Sequence, residues 1–598
     1  MKTVMVLIGI AWFASFPLMA QKNVEYPFRY QPDMGNKSKL IPLTQLNYAS
    51  AKSIRVYFDA STRLGKSSYL QLEGNNGAKQ VLDSTALVHW HHSSAYFNGH
   101  SVQISLFTAP GDQPNVAIKS IKVVEETYES KKTALKTLAT QPSARQSATA
   151  GIIDDYPYAK AVGRFTNGNQ ANGTGWIAPN GAIVTSFQIY DQIITHGFDV
   201  IEFNVPLSTT TGQVNHPAPE DQYPLDLSSV SHYHEDIFVR KWYWSVWSPH
   251  TFEYHPGYAI IKVLPNGTGK TPGEREAQYF QILANPSSSV IEAQGSITTD
   301  VFHYSEQGVF AEYDKTLQRS PSLLYKASDF IKAGLGIPDV PHRDNFIIHD
   351  LLTGENGWSD LGAPITYEGT NVAIGIHAGN ASHTPAIGHG FRDANLTNAL
   401  TYFLSPKSVF VDANGFYESA TGKVNKPYLT VQNAVTHAQN DAVLFIAKGT
   451  YNETLSINTP MTLRAPVGNV IIGAPEANAR KSAGSSLPAG VLTEETYAIE
   501  KKVISESAEK KSFTSYPNPF QEHTVIQYQL AESGPAEMKV YDQNGIEAAT
   551  LLRSHQEAGQ HSLEWNGRRS DGSPLPTGIY IIHLTMGNQV KSIKVLKK

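Results

Sequence analysis

The chain has 598 residues, 48 Lys and Arg against 53 Asp and Glu for a formal net charge of −5, and no cysteine. That length exceeds what one hydrophobic core supports, so roughly three to five domains are expected. The near-neutral balance, without any basic patch interleaved with aromatics, excludes a nucleic-acid partner, and the lack of cysteine excludes disulfides, thiol catalysis and thiol-linked lipidation.

Residues 1–20 carry Lys2, an apolar run from Val4 to Met19, and Ala20 before Gln21, the pattern of a secretory signal peptide cleaved after Ala20. No later stretch is apolar for long enough to cross a bilayer. Over residues 21–127, alternation at Ile54, Val56 and Phe58 and again at Val102, Ile104 and Leu106 predicts strands, and a β-sandwich is the natural way to bury one face of each. His89, His91 and His92 read as polar residues on a strand edge, because only alternate positions could share a metal.

Residues 128–150, rich in Lys, Thr, Ser, Ala and Gln, read as a linker ahead of a large domain at 151–404. In that domain, His232-Tyr-His-Glu-Asp236 reads as a solvated loop without metal-binding spacing, and Trp242, Trp244 and Trp247 read as an aromatic cluster. Residues 405–475 open on Val409-Phe-Val-Asp-Ala-Asn-Gly415. A helix follows, carrying Val431, Ala434, Val435 and Ala438, then strands at Ala442–Ala447, Thr454–Asn458, Met461–Arg464 and Asn469–Ile472. This succession resembles the first coil of a right-handed parallel β-helix of the pectin-lyase type. It is too short for the stacking that gives such solenoids a continuous core, so a spacer or cap is expected. A second linker spans 476–511.

The last segment, 512–598, contains Ser515-Tyr-Pro-Asn-Pro-Phe520, a strand at Thr524–Leu530, Met538-Lys-Val-Tyr-Asp-Gln-Asn-Gly545, Trp565-Asn-Gly567 and Pro576-Thr-Gly-Ile-Tyr-Ile-Ile-His583. In order and spacing it resembles the type A C-terminal sorting domain of the Bacteroidetes-type type IX secretion system, an immunoglobulin-like β-sandwich. The resemblance implies the secretion machinery as a partner through 512–598, and a protein released or held at the outer-membrane surface after processing.

The centre of the chain resembles the trypsin-like serine proteases, most closely their glutamyl-endopeptidase-like branch. The first motif is Gly173-Thr-Gly-Trp-Ile-Ala-Pro-Asn-Gly-Ala-Ile-Val-Thr-Ser-Phe-Gln188, against a family pattern that ends in Ala-Ala/Gly-His. The second, Gly257-Tyr-Ala-Ile-Ile-Lys262, stands against Asp-x-Ala-Leu/Val-x-Lys. The third is the run Asp350 to Pro364 with Ser359-Asp-Leu-Gly362, against Gly-x-Ser-Gly-Ser-Pro, followed by Val372-Ala-Ile-Gly-Ile-His-Ala-Gly379. Gln188, Gly257 and Leu361 therefore stand where the base, the orienting acid and the nucleophile belong, and the stretch from Phe391 to Phe403 resembles the segment leading into the family's C-terminal helix. The resemblance implies a chymotrypsin-like double β-barrel with a degenerate triad, a cleft bordered by Ser359, Asp360, Gly362 and His377, and no cofactor or metal. Leucine has no lone pair to attack with, a glutamine amide is not basic near neutral pH, and glycine orients nothing.

The reading that follows is a mostly-β, multidomain secreted pseudoprotease that binds an extracellular peptide, protein or surface polymer. Two others remain open. One is an active endopeptidase in which Ser359 serves as nucleophile with His349 or His377 as base. The other is a carbohydrate-directed adhesin using exposed aromatics.

Overall fold

The computed structural model describes residues 20–32, 38–125, 156–168, 170–209, 214–235, 237–242, 249–254, 256–287, 290–291, 297–304, 316–325, 335–336, 346–351, 361–379, 386–415, 420–473, 513–516, 520–530, 533–542, 547–586 and 589–597. Both expected linkers, 128–150 and 476–511, lie outside the described residues, as do residues 1–19, Trp244 and Trp247. Among the described residues no helix is long and apolar enough to cross a membrane. The chain divides into two units, Met1–Glu494 and Glu495–Lys598.

In the first unit the alternation read from sequence produces a two-sheet sandwich. Its strands are β1 (Ala20–Tyr30), β2 (Lys39–Asn47), β3 (Ala51–Phe58), β4 (Tyr69–Gly74), β5 (Lys79–Leu82), β6 (Phe97–Asn98), β7 (Ser101–Thr108) and β8 (Val116–Glu125). They form one sheet in the order β1-β8-β3-β6 and another in the order β2-β7-β4-β5. Ile54, Val56, Phe58, Val102, Ile104 and Leu106 all face the shared core, around the buried Trp90.

The histidine-rich stretch is not a strand. Asp83 accepts a hydrogen bond from the Ala86 N–H at 2.7 Å and starts a short helix, α1 (Ser84–His89), because a side-chain oxygen at that position satisfies an otherwise orphaned amide. His91 and His92 then turn the chain at φ 51° and 56°.

Two closed barrels follow. The first contains β9 (Val162–Thr166), β10 (Ala171–Ile177), β11 (Ile183–Ser186), β12 (Val200–Glu202), β13 (Gln222–His234) and β16 (Gly257–Val263), closed in the order β10-β11-β16-β13-β12-β9. Between β13 and β16 the chain makes a hairpin of β14 (Ile237–Trp242) and β15 (Pro249–Tyr254). The helix α2 (Phe187–His196) follows β11 directly, capped by Ser186 and ended by Gly197 in the left-handed region.

The second barrel contains β17 (Gln281–Ile282), β18 (Ile297–Tyr304), β19 (Leu317–Tyr325), β21 (Phe346–Leu351), β22 (Pro364–Tyr367), β23 (Val372–Gly379) and β24 (Ala386–Gly390), with β20 (Leu335–Gly336) lying between β19 and β21 in sequence but outside it. The ring β23-β22-β18-β19-β21-β24 closes through β23–β24 pairing, β17 adds to β23, and β20 pairs instead with β14. A helix, α3 (Ala394–Tyr402), follows it, within the stretch expected only to lead into one. This is the expected double β-barrel.

His232, Tyr233 and His234, expected in a loop, belong to β13. They pair with Ala259, Tyr258 and Gly257 after a register shift between Asp226 and Val230, a bulge that lets the strand run on past the barrel.

The sandwich is anchored on the first barrel by a buried charge. Arg55, 1% exposed, donates to Asp199 at 2.8 Å, to the Tyr96 hydroxyl at 2.9 Å and to the Ser93 hydroxyl and Ser94 carbonyl at 2.8 Å each. Burial opposes its charge, but the Asp199 carboxylate together with Tyr96 and Tyr57 outweighs burial and holds its pKa above the usual value. Beside it the Gln222 amide bonds both backbone groups of Tyr96.

The coil-like module is built from β25 (Ser408–Val411), the helix α4 (Val431–His437), β26 (Ala442–Ile446), β27 (Gly449–Tyr451), β28 (Met461–Arg464) and β29 (Val470–Ile472). Its parallel ladders are β25-β26-β28 and β27-β29. Thr454–Asn458 forms no strand, because its surroundings cap α4: the Glu453 carboxylate accepts from the Val431 and Gln432 N–H groups at 2.8 Å, and Ser456 N–H donates to the Gln432 side chain. The module is welded to the barrels through Asp412, which accepts from the Tyr279 hydroxyl at 2.6 Å and the Gln281 amide at 3.0 Å. Burial raises the pKa of this carboxyl.

The second unit is an immunoglobulin-like sandwich. One sheet pairs β30 (Phe513–Tyr516), β31 (Thr524–Leu530) and β34 (Gly559–Trp565). The other orders β33 (Glu547–Gln556), β32 (Gly534–Asp542), β35 (Gly578–Met586) and β36 (Gln589–Lys597). Phe520, Ile526, Met538, Val540, Trp565, Tyr580 and Ile582 fill its core.

Candidate functional site

Gln188, Gly257 and Leu361, the positions singled out in the sequence, are each held by contacts with neighbouring strands. Leu361 is 2% exposed within the core that joins the two barrels, and its carbonyl accepts from the Thr174 N–H of β10 at 2.9 Å. Gly362 follows with φ +87°. A side chain there would place Cβ 2.1 Å from the Thr174 carbonyl and 2.2 Å from the Thr185 hydroxyl, so only glycine fits. Gly362 N–H donates to the His377 carbonyl, and His377 N–H to the Ala363 carbonyl, both at 2.8 Å, which ties the turn to β23.

Gln188, the second residue of α2, donates from Nε2 to the Ala378 carbonyl of β23. Its side chain thus links the first barrel to the second. Gly257 opens β16 opposite His234, and a Cβ at this position would lie 2.2 Å from the Tyr233 carbonyl and 2.7 Å from the His234 Cα. The extended end of β13 has filled the space a carboxylate there would need.

Beside these positions the rings of Phe187 and His234 stack at 3.9 Å and those of Tyr190 and His232 at 4.5 Å. His232 and His234 are exposed, and Phe187 and Tyr190 half-buried.

A buried imidazole pair lies on the second-barrel side. His349 on β21 sits opposite Ala386 of β24, and His377 on β23 sits opposite Gly388 of the same strand. The small residues of the intervening strand let the two rings meet: His349 Nε2 and His377 Nδ1 share a hydrogen bond at 3.0 Å, and the Ser322 hydroxyl lies 2.8 Å from His349 Nδ1. Both rings are 0% exposed, and burial pushes the His349 pKa down to about 3, so this ring is neutral near pH 7. His389 on β24 is held by Asp393 at 2.8 Å. Burial of Asp393 disfavours its charge, but the His389 and backbone hydrogen bonds outweigh that and lower its pKa.

Of the residues expected to border the cleft, Gly362 and His377 come together, whereas Ser359 and Asp360 lie outside the described residues. Sequence reasoning named His349 and His377 separately and missed their contact, and it gave no role to Ser322 or Asp393. A readable signal was the Ala386-x-Gly388 spacing on the strand between the two histidines. No group of three or more metal-capable side chains occurs among the described residues. Gln188, Gly257 and Leu361 offer no nucleophile paired with a base.

Residues 520–589 match the FlgD Ig-like domain family. No curated protein matches the chain. Among solved structures, similarity is found to PorZ, a surface component of the type IX secretion system of Porphyromonas gingivalis, at 20% identity and a TM-score of 0.12 over 14% of this chain and 11% of that one. The chain thus spans about a tenth of PorZ. Similarity also extends to the trypsin-like serine protease neuropsin of mouse brain, at 11% identity and a TM-score of 0.26 over 40% of this chain and 93% of that one. For the inactivated protease paralogue S-I1 of the scabies mite the identity is 12%, with the same TM-score and the same coverage of both chains.

Proposed function

We propose that the protein is a secreted or cell-surface, non-catalytic homologue of the trypsin-like proteases that binds a peptide, protein or surface polymer. The observation that carries this reading is the seam itself: Leu361 is buried where a nucleophile would stand, while Gln188 spends its amide on the Ala378 carbonyl. A side chain at position 257 would collide with the β13 backbone. Catalysis needs an attacking group activated by a base that is itself oriented, and these positions supply none of the three.

On the same reading, residues 1–20 direct export and are removed, residues 151–404 are the protease-derived domain, 405–475 a short β-helix-like spacer, and 512–598 the sorting domain read by the type IX machinery. The motif order from Ser515 to His583 supports the last assignment, and attaching 512–598 to a reporter in a type IX-competent cell tests it by surface display. The test of the main reading is hydrolysis of casein and a peptide mixture by the mature protein and its Ser359→Ala variant, beside active trypsin. No cleavage is expected from either form, and cleavage abolished by Ser359→Ala would establish the endopeptidase alternative.

A further inference from the structure

The outer face of the sandwich sheet β1-β8-β3 meets the first barrel at Arg55, whose charge is spent on Asp199. Strand register sets further polar side chains on that face. In the row of Arg55, Lys122 of β8 lies between it and Asn23 of β1. In the next row, Ser120 of β8 lies between Tyr57 of β3 and Glu25 of β1. Lys119 joins them through a bulge. It has no partner in either ladder, because Ser120 pairs with Glu25 and Tyr57 while Ile118 pairs with Phe28 and Phe58. Ile118 and Ile121 are both buried in the sandwich core, so two successive residues, Lys119 and Ser120, turn outward between them. Bulges re-aim side chains in this way, and here a second lysine is placed beside Lys122.

These side chains, with Pro27, line a groove of about 520 Å³. Asn23, Glu25 and Lys119 are exposed, and Tyr57, Ser120 and Lys122 half-buried. The Tyr57 ring forms part of the wall, with Lys122 Nζ 5.8 Å from its centroid. Among the described residues no side-chain hydrogen bond or ion pair engages Asn23, Glu25, Lys119, Ser120 or Lys122. Asp59, which feels the Lys119 charge, is itself occupied by the Ser61 N–H at 2.9 Å.

We propose that this groove binds an acidic saccharide, with its carboxylate held by Lys119 and Lys122 and its hydroxyls by Glu25, Asn23 and Ser120. The site lies on the sandwich, so it goes beyond the reading of the double barrel and does not depend on it. The volume falls in the range of small-molecule sites, about 300–1,000 Å³. Two ammonium groups suit a carboxylate through charge-assisted bonds. Hydroxyls both donate and accept, which matches a wall that mixes donors with the Glu25 carboxylate. Glu25 repels a bare anion, and a wall with one ring and one proline gives an apolar side chain little to bury against.

The probe is an array of uronate- and sialate-bearing saccharides beside their neutral counterparts, read with the mature protein. Acidic members are expected to be retained about tenfold or more above the neutral ones, and Lys119→Ala/Lys122→Ala to weaken that retention by about tenfold or more. Glu25→Ala is expected to weaken it as well, whereas loss of an acid strengthens the binding of a bare anion. On the parent protein, a retained saccharide is expected to protect Lys119 and Lys122 from acetylation, a readout that needs no variant. Retention of no acidic saccharide, or retention with both lysines still acetylated, overturns the groove. Stronger binding by Glu25→Ala, or displacement by acetate at the concentration of the saccharide, overturns the saccharide and leaves a simple anion site. None of these results bears on the casein test of the double barrel, so the two readings fail separately.

Discussion

His349 and His377 share a buried hydrogen bond of 3.0 Å across a strand whose facing residues are Ala386 and Gly388. The burial of His349 makes the second barrel sensitive to acid. The folded-state pKa of His349, about 3, lies below its ordinary value of 6.5. Above pH 6.5 the ring is neutral whether folded or not, and stability is unaffected. As pH falls from 6.5 towards 3 the unfolded chain binds a proton that the folded chain refuses, so stability falls with pH, by about 1.4 kcal/mol per unit for this one group. Denaturant titrations between pH 7 and 4 are expected to show this loss, with a shallower slope in His349→Gln.

Rebuilding the triad is expected to fail. Gly257→Asp forces a side chain into the β13 backbone, a form of overpacking that costs about 1–3 kcal/mol or more, and Leu361→Ser empties a filled core position at about 2–5 kcal/mol. The combination Gln188→His, Gly257→Asp and Leu361→Ser is therefore expected to be less stable than the parent and still inactive on an activated ester. Turnover well above background would contradict this.

The Arg55–Asp199 pair predicts an asymmetry between its two deletions. Asp199→Ala leaves a buried guanidinium without its counter-charge and is expected to destabilise by about 3–5 kcal/mol, whereas Arg55→Met removes the charge along with the bond and is expected to cost less. Thermal unfolding of both variants checks the order. Equal losses would show that the buried Arg55 guanidinium does not depend on Asp199 as its counter-charge.

Gln188→Ala removes one hydrogen bond between the barrels, expected to cost about 1 kcal/mol. Gln188→Glu places a carboxylate against the Ala378 carbonyl and is expected to be worse at pH 7 than at pH 4, where the acid can donate. Stability curves of the two variants at both pH values separate these effects.

Local patterns carried much of the fold. The alternation at Ile54, Val56 and Phe58 placed a core face correctly. Capping was the weaker signal: Asp83 starting α1 and Glu453 covering the amides of α4 turned two expected strands into other structure. His232 to His234 read as loop because a bulge, which has no simple sequence signature, carries β13 beyond the barrel. What stayed hidden was contact between distant residues, such as Asp412 with Tyr279 and His349 with His377. Pairings of that kind depend on the order in which strands close a barrel, and periodicity along one strand does not report it.

The most direct measurement is labelling of the purified mature protein by a fluorophosphonate, which reacts only with an activated serine. The account predicts no covalent adduct by intact mass, under conditions in which trypsin is fully labelled. An adduct that maps to Ser359 and disappears in Ser359→Ala would contradict it, showing that the chain carries a working nucleophile two residues before Leu361.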